Sequence, residues 1–135
     1  MRVLVDSTVW IGFLRNISTP ETERLIELID RREDLCICGF VLTEVLQGIR
    51  DEKQFVATKR QFSNLIYLEC DQSTFELGAT IHRNLRKQGI TIRNSIDCLI
   101  AATVIQHNVF LLEDDRDFPF ISTHYPINLL FRDGK

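Results

Sequence analysis

Residues 1–14, MRVLVDSTVWIGFL, decide the fold class of this chain. The apolar run after the first two residues is rich in β-branched side chains and predicts a short buried strand over 2–5. Asp6 follows where that strand should end, and Ser7 or Thr8 is able to cap the helix that begins next. In open α/β sheets ligands bind beyond the carboxyl ends of the strands, so Asp6 stands where a functional group is expected.

The composition is that of an ordinary soluble domain. The chain has 135 residues, of which 44% are hydrophobic and 26% charged, and we expect a single domain over 1–135. The net charge of −3 argues against a simple cationic binder of nucleic acid, but not against acids gathered at a metal ion. Neither a signal peptide nor a membrane-spanning run is recognisable, so we expect a cytoplasmic protein without a membrane partner.

The cysteines and histidines give no metal-binding pattern. Cys36, Cys38, Cys70 and Cys98 stand in or beside predicted core segments, and no two of them form a CxxC pair. The three histidines show no paired ligand spacing either. Reduced cysteines are therefore favoured over a zinc site or disulfides.

The rest of the chain alternates predicted strands and helices. Strands are predicted over 35–39, 65–68, 109–112 and 127–130, and helices over 20–32, 40–49, 52–63, 73–88 and 96–106. The helix over 96–106 is apolar on nearly every side, which predicts that it is buried, and Ser95 is able to cap it. This alternation predicts an α/β fold with three layers, α/β/α, around a mostly parallel central sheet of four to five strands.

Acidic residues recur at the ends of these strands. Glu44 is expected in the first helical turn after the second strand, Asp97 opens the buried helix, and Asp115 and Asp117 follow the fourth strand. Because the carboxyl ends of parallel strands share one edge of a sheet, we expect these acids to meet Asp6 there. The positive ends of the helices favour the charged forms of Asp97 and Glu44.

Such a cluster suggests metal-dependent chemistry. Several carboxylates are not stable together in ionised form without a counter-charge, and hard oxygen ligands favour Mg²⁺ or Mn²⁺. The reaction class that fits is hydrolysis of a phosphodiester. Taken singly, Glu44 and Asp97 are more often helix-dipole partners than metal ligands. Asp6 alone could be a strand-end or capping residue, although the functional interpretation is favoured there, and Asp114, Asp115 and Asp117 alone could form a solvated turn.

Four segments in this order resemble a PIN domain, and specifically the ribonuclease toxins of the VapC type. The segments are VDSTVWI (5–11), TEVLQG (43–48), DCLIAA (97–102) and LLEDDRDF (111–118). Together they cover almost the whole chain in matching order and spacing.

The resemblance implies a site and its partners. Asp6, Glu44, Asp97 and Asp115 would surround Mg²⁺ or Mn²⁺, with Asp117 as a fifth contributor. It also implies an endoribonuclease that acts on RNA, forms a homodimer, and is inhibited by a cognate antitoxin whose tail blocks the site.

Two other function classes remain open. Asp6 would suit an aspartyl-phosphate, but a haloacid-dehalogenase-like site wants a second aspartate where this chain has Thr8. A non-catalytic module could use the same acids to bind an arginine of a partner.

The basic stretch of Arg83, Arg86, Lys87 and Arg93 is either a phosphate contact or a solvated surface. The apolar residues Ile11, Phe13, Leu14 and Ile17 suggest a dimer or antitoxin contact.

Overall fold

The computed structural model describes residues 1–130, where strands alternate with helices around one sheet. The strands are β1 (Arg2–Val5), β2 (Asp34–Ile37), β3 (Ile66–Tyr67), β4 (Phe110–Leu112) and β5 (Asn128–Leu129). The helices are α1 (Ser7–Leu14), α2 (Pro20–Asp30), α3 (Gly39–Gln47), α4 (Glu52–Phe62), α5 (Gln72–Lys87), α6 (Ser95–His107) and α7 (Asp117–Ser122). Within residues 1–130, none of these helices is both long and apolar enough to span a bilayer. The predicted domain over 1–135 also includes residues 131–135, which lie outside the described residues, and its boundaries stay a prediction.

β1 lies at the centre of the sheet, whose strand order is β3-β2-β1-β4-β5 with parallel pairing throughout the described strands. Leu4 pairs with Cys36 of β2 and with Leu111 of β4, and all three side chains are fully buried. Both faces of a parallel sheet are covered in this way by its crossover helices. The edge strands β3 and β5 are shorter than the predicted 65–68 and 127–130. The α/β fold around a parallel sheet is confirmed.

Several helix ends follow from local sequence signals. The Thr19 hydroxyl accepts a hydrogen bond from the Thr22 backbone N–H at 3.0 Å, and Pro20 occupies the first turn of α2. Gly89, just beyond α5, has φ of +82°, and Asn108 ends α6 with φ of 52°. Glycine and asparagine tolerate this left-handed conformation best, which confirms both predicted helix ends.

Two predicted helix caps are wrong by one or two residues. Asp6 itself occupies the N-cap position of α1, so Ser7 and Thr8 already belong to the helix. Asn94 caps α6, where its Oδ1 accepts a backbone hydrogen bond at 3.0 Å, and Ser95 is the first helical residue. In both cases an earlier residue with a short polar side chain has the extended backbone that a cap requires.

The cysteines belong mainly to the core. Cys36, Cys38 and Cys98 are buried, and Cys70 is half-buried. Burial raises the pKa of the Cys38 and Cys98 thiols to about 11, with smaller contributions from neighbouring charges. These two thiols are therefore protonated near neutral pH and pack as small apolar side chains.

α6 packs very closely on α5 because α5 has a glycine at the contact. A Cβ atom on Gly78 would lie 2.5 Å from Cδ2 and 3.4 Å from Cα of Leu99. Ala101 and Ala102 of α6 are fully buried as well, which confirms the predicted burial of this helix. The contact holds α6 against α5 two residues beyond Asp97, which lies in the first turn of α6.

We expect Gly78→Val to lower the free energy of unfolding by roughly 1–3 kcal/mol, because the new side chain would overlap Leu99. The matched control is Ala79→Val, at the exposed neighbouring position of the same helix. Valine has a higher helix propensity than glycine and a lower one than alanine, so propensity alone predicts the opposite order. Urea unfolding of both variants decides the matter, and equal or greater loss in Ala79→Val would contradict close packing at Gly78.

Candidate metal centre

Three of the predicted acids form a compact cluster at the carboxyl edge of the sheet. Asp97, in the first turn of α6, lies beside Asp115 and Asp117, which follow β4. Each offers a carboxylate oxygen, and these oxygens all lie within 4.8 Å of one another. Asp117 therefore lies within that distance of Asp97, as Asp115 does. We refer to Asp97, Asp115 and Asp117 as the aspartate cluster.

Asp97 is the most strongly perturbed of the acids. Its side chain is 5% exposed, and its Oδ2 is buried without a hydrogen-bond partner among residues 1–130. Burial, followed by the negative charges of Asp115 and Asp6, raises the pKa of Asp97 to about 8, with smaller contributions from Asp117 and Glu44. These effects outweigh the expected stabilisation of the charged form by the helix N-terminus.

Asp6 lies at the edge of the same group of charges. It is 3% exposed, and burial raises its pKa to about 6, with a further contribution from Glu44. Hydrogen bonds from the Thr8 hydroxyl, whose Oγ1 lies 2.9 Å from Asp6 Oδ2, and from the Ser7 backbone act in the opposite direction. Asp6 lies outside the aspartate cluster, yet its charge is felt by Asp97.

Glu44 reaches the site from a different position than the sequence suggested. The expected first-turn position is wrong, because Cys38 is the N-cap and α3 begins at Gly39, so Glu44 lies in the second turn. The helix-dipole argument for Glu44 therefore does not apply. Instead, the buried Ser7 hydroxyl donates a hydrogen bond to Glu44 Oε1 at 3.1 Å. This contact joins α1 to α3 and holds Glu44 toward Asp6.

Ser7 and Glu113 are positioning residues that the sequence did not reveal. Glu113 is 3% exposed, and its Oε1 accepts the backbone N–H of Asp115 at 2.8 Å. Asp115 Oδ1 in turn accepts the backbone N–H of Asp117 at 2.9 Å. These bonds fold the loop after β4 back on itself, while Asp114 is exposed. The serine after Asp6 and the extra acid before Asp114 were the available signals.

Arg93 lies beside the aspartate cluster. Arg93 Nε lies 4.0 Å from Asp117 Oδ2, and the Arg93 side chain is 66% exposed. The other members of the basic stretch, Arg83, Arg86 and Lys87, are exposed on α5. Arg93 is therefore the member of this stretch that the structure brings to the acids.

The donor set fits a hard divalent cation. The aspartate cluster supplies carboxylate oxygens, the ligand type that Mg²⁺ and Mn²⁺ prefer. The unpaired, buried Oδ2 of Asp97 is a group that a cation would satisfy and that is costly without one. A bound cation would also offset the repulsion among the five acids.

The fold and this acidic edge define a class of α/β proteins with carboxylates gathered at the ends of parallel strands. The family model described as the PIN domain matches residues 3–122. That range contains Asp6, Glu44 and the whole aspartate cluster. The chain belongs to the PIN-domain family.

Its curated relatives are VapC proteins. VapC ribonuclease Mb1587 of Mycobacterium bovis is 30% identical over 124 residues, covering 89% of this chain and 91% of the relative. Ribonuclease VapC11 of Mycobacterium tuberculosis has the same identity and coverage. Ribonuclease VapC19 of the same organism is 29% identical, covering 91% of this chain and 97% of the relative.

Solved structures share the fold at lower sequence identity. One is VapBC2 from Rickettsia felis, bound to a DNA fragment from its own promoter. It matches with a TM-score of 0.72 at 19% identity, and the match covers 96% of this chain and 98% of that chain. VapBC-1 from nontypeable Haemophilus influenzae matches with a TM-score of 0.73 at 19% identity, covering 96% and 97%. At this identity the likeness supports the fold.

We expect Asp97→Asn to stabilise the metal-free protein. The folded-state pKa of Asp97, about 8, lies above its ordinary value of 3.8, so its contribution to stability is present below pH 3.8 and is lost as the pH rises through 8. At about pH 9 in chelator, asparagine should raise the free energy of unfolding by more than about 1.4 kcal/mol, the equivalent of one pKa unit. Urea unfolding measures the difference.

Asp114→Asn is the control for that measurement, because Asp114 is exposed in the loop after β4 and lies outside the aspartate cluster. It should change stability by less than about 0.5 kcal/mol. If Asp97→Asn instead destabilises the metal-free protein at this pH, the Asp97 carboxylate has a stabilising partner and the site does not need a cation.

Divalent metal should stabilise the wild-type protein and leave Asp97→Asn almost unchanged. A ligand at 100 times its dissociation constant adds about 2.7 kcal/mol to the free energy of unfolding when it binds only the folded state. Thermal unfolding in Mn²⁺, Mg²⁺ and chelator gives the measurement, with Asp114→Asn again as control. Equal stabilisation of wild type and Asp97→Asn would place metal binding elsewhere.

Proposed function

We propose that this protein is a metal-dependent endoribonuclease and the toxin of a toxin–antitoxin pair. The observation that carries the proposal is the buried, unpaired Oδ2 of Asp97 among the charges of four other acids. Membership of the PIN-domain family and relatives named ribonucleases support the same activity. We place the protein in the cytoplasm as part of this proposal.

The acids divide into metal ligands and a water-positioning group. Asp6, Asp97 and Asp115 would bind Mg²⁺ or Mn²⁺ directly, and the position of Asp117 in the aspartate cluster supports it as a further ligand. Glu44 would hold the metal or orient the attacking water, with Ser7 fixing one of its oxygens. When bound, the ion would lower the pKa of a water molecule and polarise the phosphate.

The remaining steps belong to the protein's own side chains. Glu44 is half-buried and near Asp6, so it is placed to accept a proton from the attacking water. Glu113 holds the backbone of Asp115, and the Asp115 carboxylate in turn holds the backbone of Asp117. Arg93, exposed and beside Asp117, would contact a phosphate of the RNA as the strand approaches the acids.

An exposed apolar surface on α1 and α2 supports an antitoxin or dimer contact. Phe13, Leu14, Ile17 and Ile26 line a pocket of about 380 Å³ there. Ile17 is 50% exposed and Ile26 is 44% exposed. Apolar groups left open in this way mark interaction surfaces. The structural neighbours named VapBC fit a cognate antitoxin as partner, and we also expect a homodimer.

Cleavage of RNA should require both the metal and Asp97. Purified, partner-free protein is incubated with a mixed cellular RNA pool in Mg²⁺, in Mn²⁺ and in chelator. We expect discrete cleavage in metal, none in chelator, and a loss of about 100-fold or more in Asp97→Asn, because the variant lacks a proposed ligand of the ion that would polarise the phosphate.

Asp114→Asn should cleave like wild type, because its side chain is exposed outside the aspartate cluster. Full activity of Asp97→Asn would exclude the proposed site. If folded protein binds metal but cleaves no RNA under any condition, a non-catalytic module whose acids bind a basic partner becomes the better interpretation.

Arg93→Gln should weaken RNA binding more than it slows the chemical step. We expect KM to rise several-fold with a smaller change in kcat. The slope of the logarithm of the RNA-binding constant against the logarithm of the salt concentration should fall in magnitude by about 1. Arg86→Gln, from the same basic stretch but on α5, is the matched control. Equal effects of both variants would mean that the basic stretch acts only through its overall charge.

A further inference from the structure

An aromatic pocket borders the proposed metal site. It has a volume of about 430 Å³ and is lined by Phe40 of α3, Tyr67 of β3 and Phe75 of α5, with the carboxylates of Glu44 and Glu69 also in its lining. We call these residues the aromatic pocket. Glu44 belongs to both the pocket and the acidic site, so the two share a wall.

The aromatic surface is large and open. Tyr67 is 48% exposed and Phe75 is 46% exposed. The rings of Phe40 and Phe75 meet edge to face, with centroids 5.9 Å apart and an interplanar angle of 79°. One ring thus supports the other while Phe75 keeps much of its surface in solvent. Aromatic surface held open beside a polar site is typical of a stacking platform for an unpaired base.

The backbone around the pocket is held in place. His107 Nε2 lies 2.8 Å from the carbonyl oxygen of Glu69, and Cys70 Sγ lies 3.4 Å from Thr103 Oγ1. These two contacts tie the loop after β3 to α6. Asp71 caps α5 by accepting the Ser73 backbone N–H at 2.9 Å, which fixes the helix that carries Phe75. The pocket is therefore formed before any ligand enters it.

The start of α3 leaves room for the tyrosine hydroxyl. A Cβ atom on Gly39 would lie 3.1 Å from Tyr67 Oη, closer than ordinary contact. With glycine there, the hydroxyl lies against the first turn of α3, beside Phe40. Tyr67 thus contributes both a ring and a polar group to the pocket.

The charges of the pocket select against a phosphate. Glu44 and Glu69 are both acceptors when ionised, and they would repel an anion while accepting hydrogen bonds from N–H groups. A neutral, flat ring with N–H donors along its edge matches the stacking surface and the carboxylates together. An exocyclic amino group gives adenine, cytosine and guanine two N–H donors at that edge, whereas uracil has there only a ring N–H between two carbonyl oxygens, which the carboxylates would repel.

The pocket lies next to the acidic site, so one RNA strand would be able to contact both. Ile96, which also lines it, immediately precedes Asp97, and Glu44 stands between the pocket and Asp6. We propose that the aromatic pocket receives the unpaired base of a nucleotide next to the scissile phosphate, and that it prefers adenine, cytosine or guanine over uracil. This inference rests on the proposed function and specifies its substrate as single-stranded RNA at this point.

The test uses base stacking as a readout that is independent of cleavage. Short single-stranded RNAs carry one 2-aminopurine, moved along the sequence, and are mixed with full-length Asp97→Asn protein so that they stay intact. At one position the fluorescence of 2-aminopurine should be quenched on binding. Adding Phe75→Ala should abolish the quenching and weaken binding about 10-fold, as expected for loss of one base–aromatic stack.

Phe110→Ala is the matched aromatic control. Phe110 is 38% exposed, but it begins β4 at the opposite edge of the sheet from the acids. It should change neither quenching nor affinity. Replacing the responsive base by an abasic nucleotide should weaken binding to the parent protein and leave binding to the Phe75→Ala variant unchanged. Glu69→Gln should reduce the preference over uracil.

Three results would overturn the proposal. The first is that no position of 2-aminopurine is quenched, and the second is that Phe75→Ala and Phe110→Ala behave alike. The third is that Phe75→Ala lowers the mass measured by light scattering while RNA affinity is unchanged, which would make the pocket a contact between copies of this chain.

The proposed function is judged separately, by cleavage with wild-type protein in metal. Position-specific quenching without cleavage would support the pocket and count against the nuclease. Metal-dependent cleavage without a stacking position would do the reverse.

Discussion

The carboxylate of Asp97 is the constraint on which the site depends. A buried acid with an unpaired oxygen, surrounded by the charges of Asp6, Glu44, Asp115 and Asp117, is unfavourable in its ionised form. The parallel pairing of β1 and β4 contributes to this crowding, because both strands end at the same edge of the sheet, where Asp6 and Asp115 follow them. The arrangement makes chemical sense when a cation completes it.

The rest of the fold supplies the rigidity that such a site needs. β1 is fully buried over its last three residues, and α6 is held against α5 at Gly78. Close packing of this kind leaves Asp97 little room to move away from its neighbours and relieve the repulsion. The loop after β4 is fixed by its own acids, through Glu113 and Asp115. The packing of the core thus stabilises the fold, while the unfavourable charges are confined to one edge of the sheet.

The sequence was informative wherever a short pattern has one structural meaning. The apolar run of β1, the acid at its end and the apolar helix beginning beside Asp97 predicted the sheet edge correctly. The predictions missed where neighbouring residues compete for one role. Asp6, Ser7 and Thr8 all favour a cap, and the pattern does not reveal that Ser7 instead holds Glu44, which is distant in sequence. Contacts of that kind depend on the tertiary fold.

The aromatic pocket shows the same limit more strongly. Tyr67 and Phe75 stand in segments whose patterns predict only a short strand and an amphipathic helix, and nothing local distinguishes them from core residues. They become a surface because Tyr67 lies next to the glycine that begins α3, while the ring of Phe75 leans on Phe40. The role of an exposed aromatic residue therefore depends on which other elements it contacts in the fold.

The two sides of the acidic edge differ in charge, and this difference would orient a bound RNA strand. Arg93 brings positive charge beside Asp117, whereas Glu44 leads to a pocket that is aromatic and acidic. A polyanion approaching a chain of net charge −3 has favourable contacts at the arginine and at a bound cation, and not in the pocket. A single strand meets both demands when its phosphates follow the cationic side and one base turns away into the pocket. A duplex, whose bases are stacked and paired, is not able to make that turn without losing those interactions.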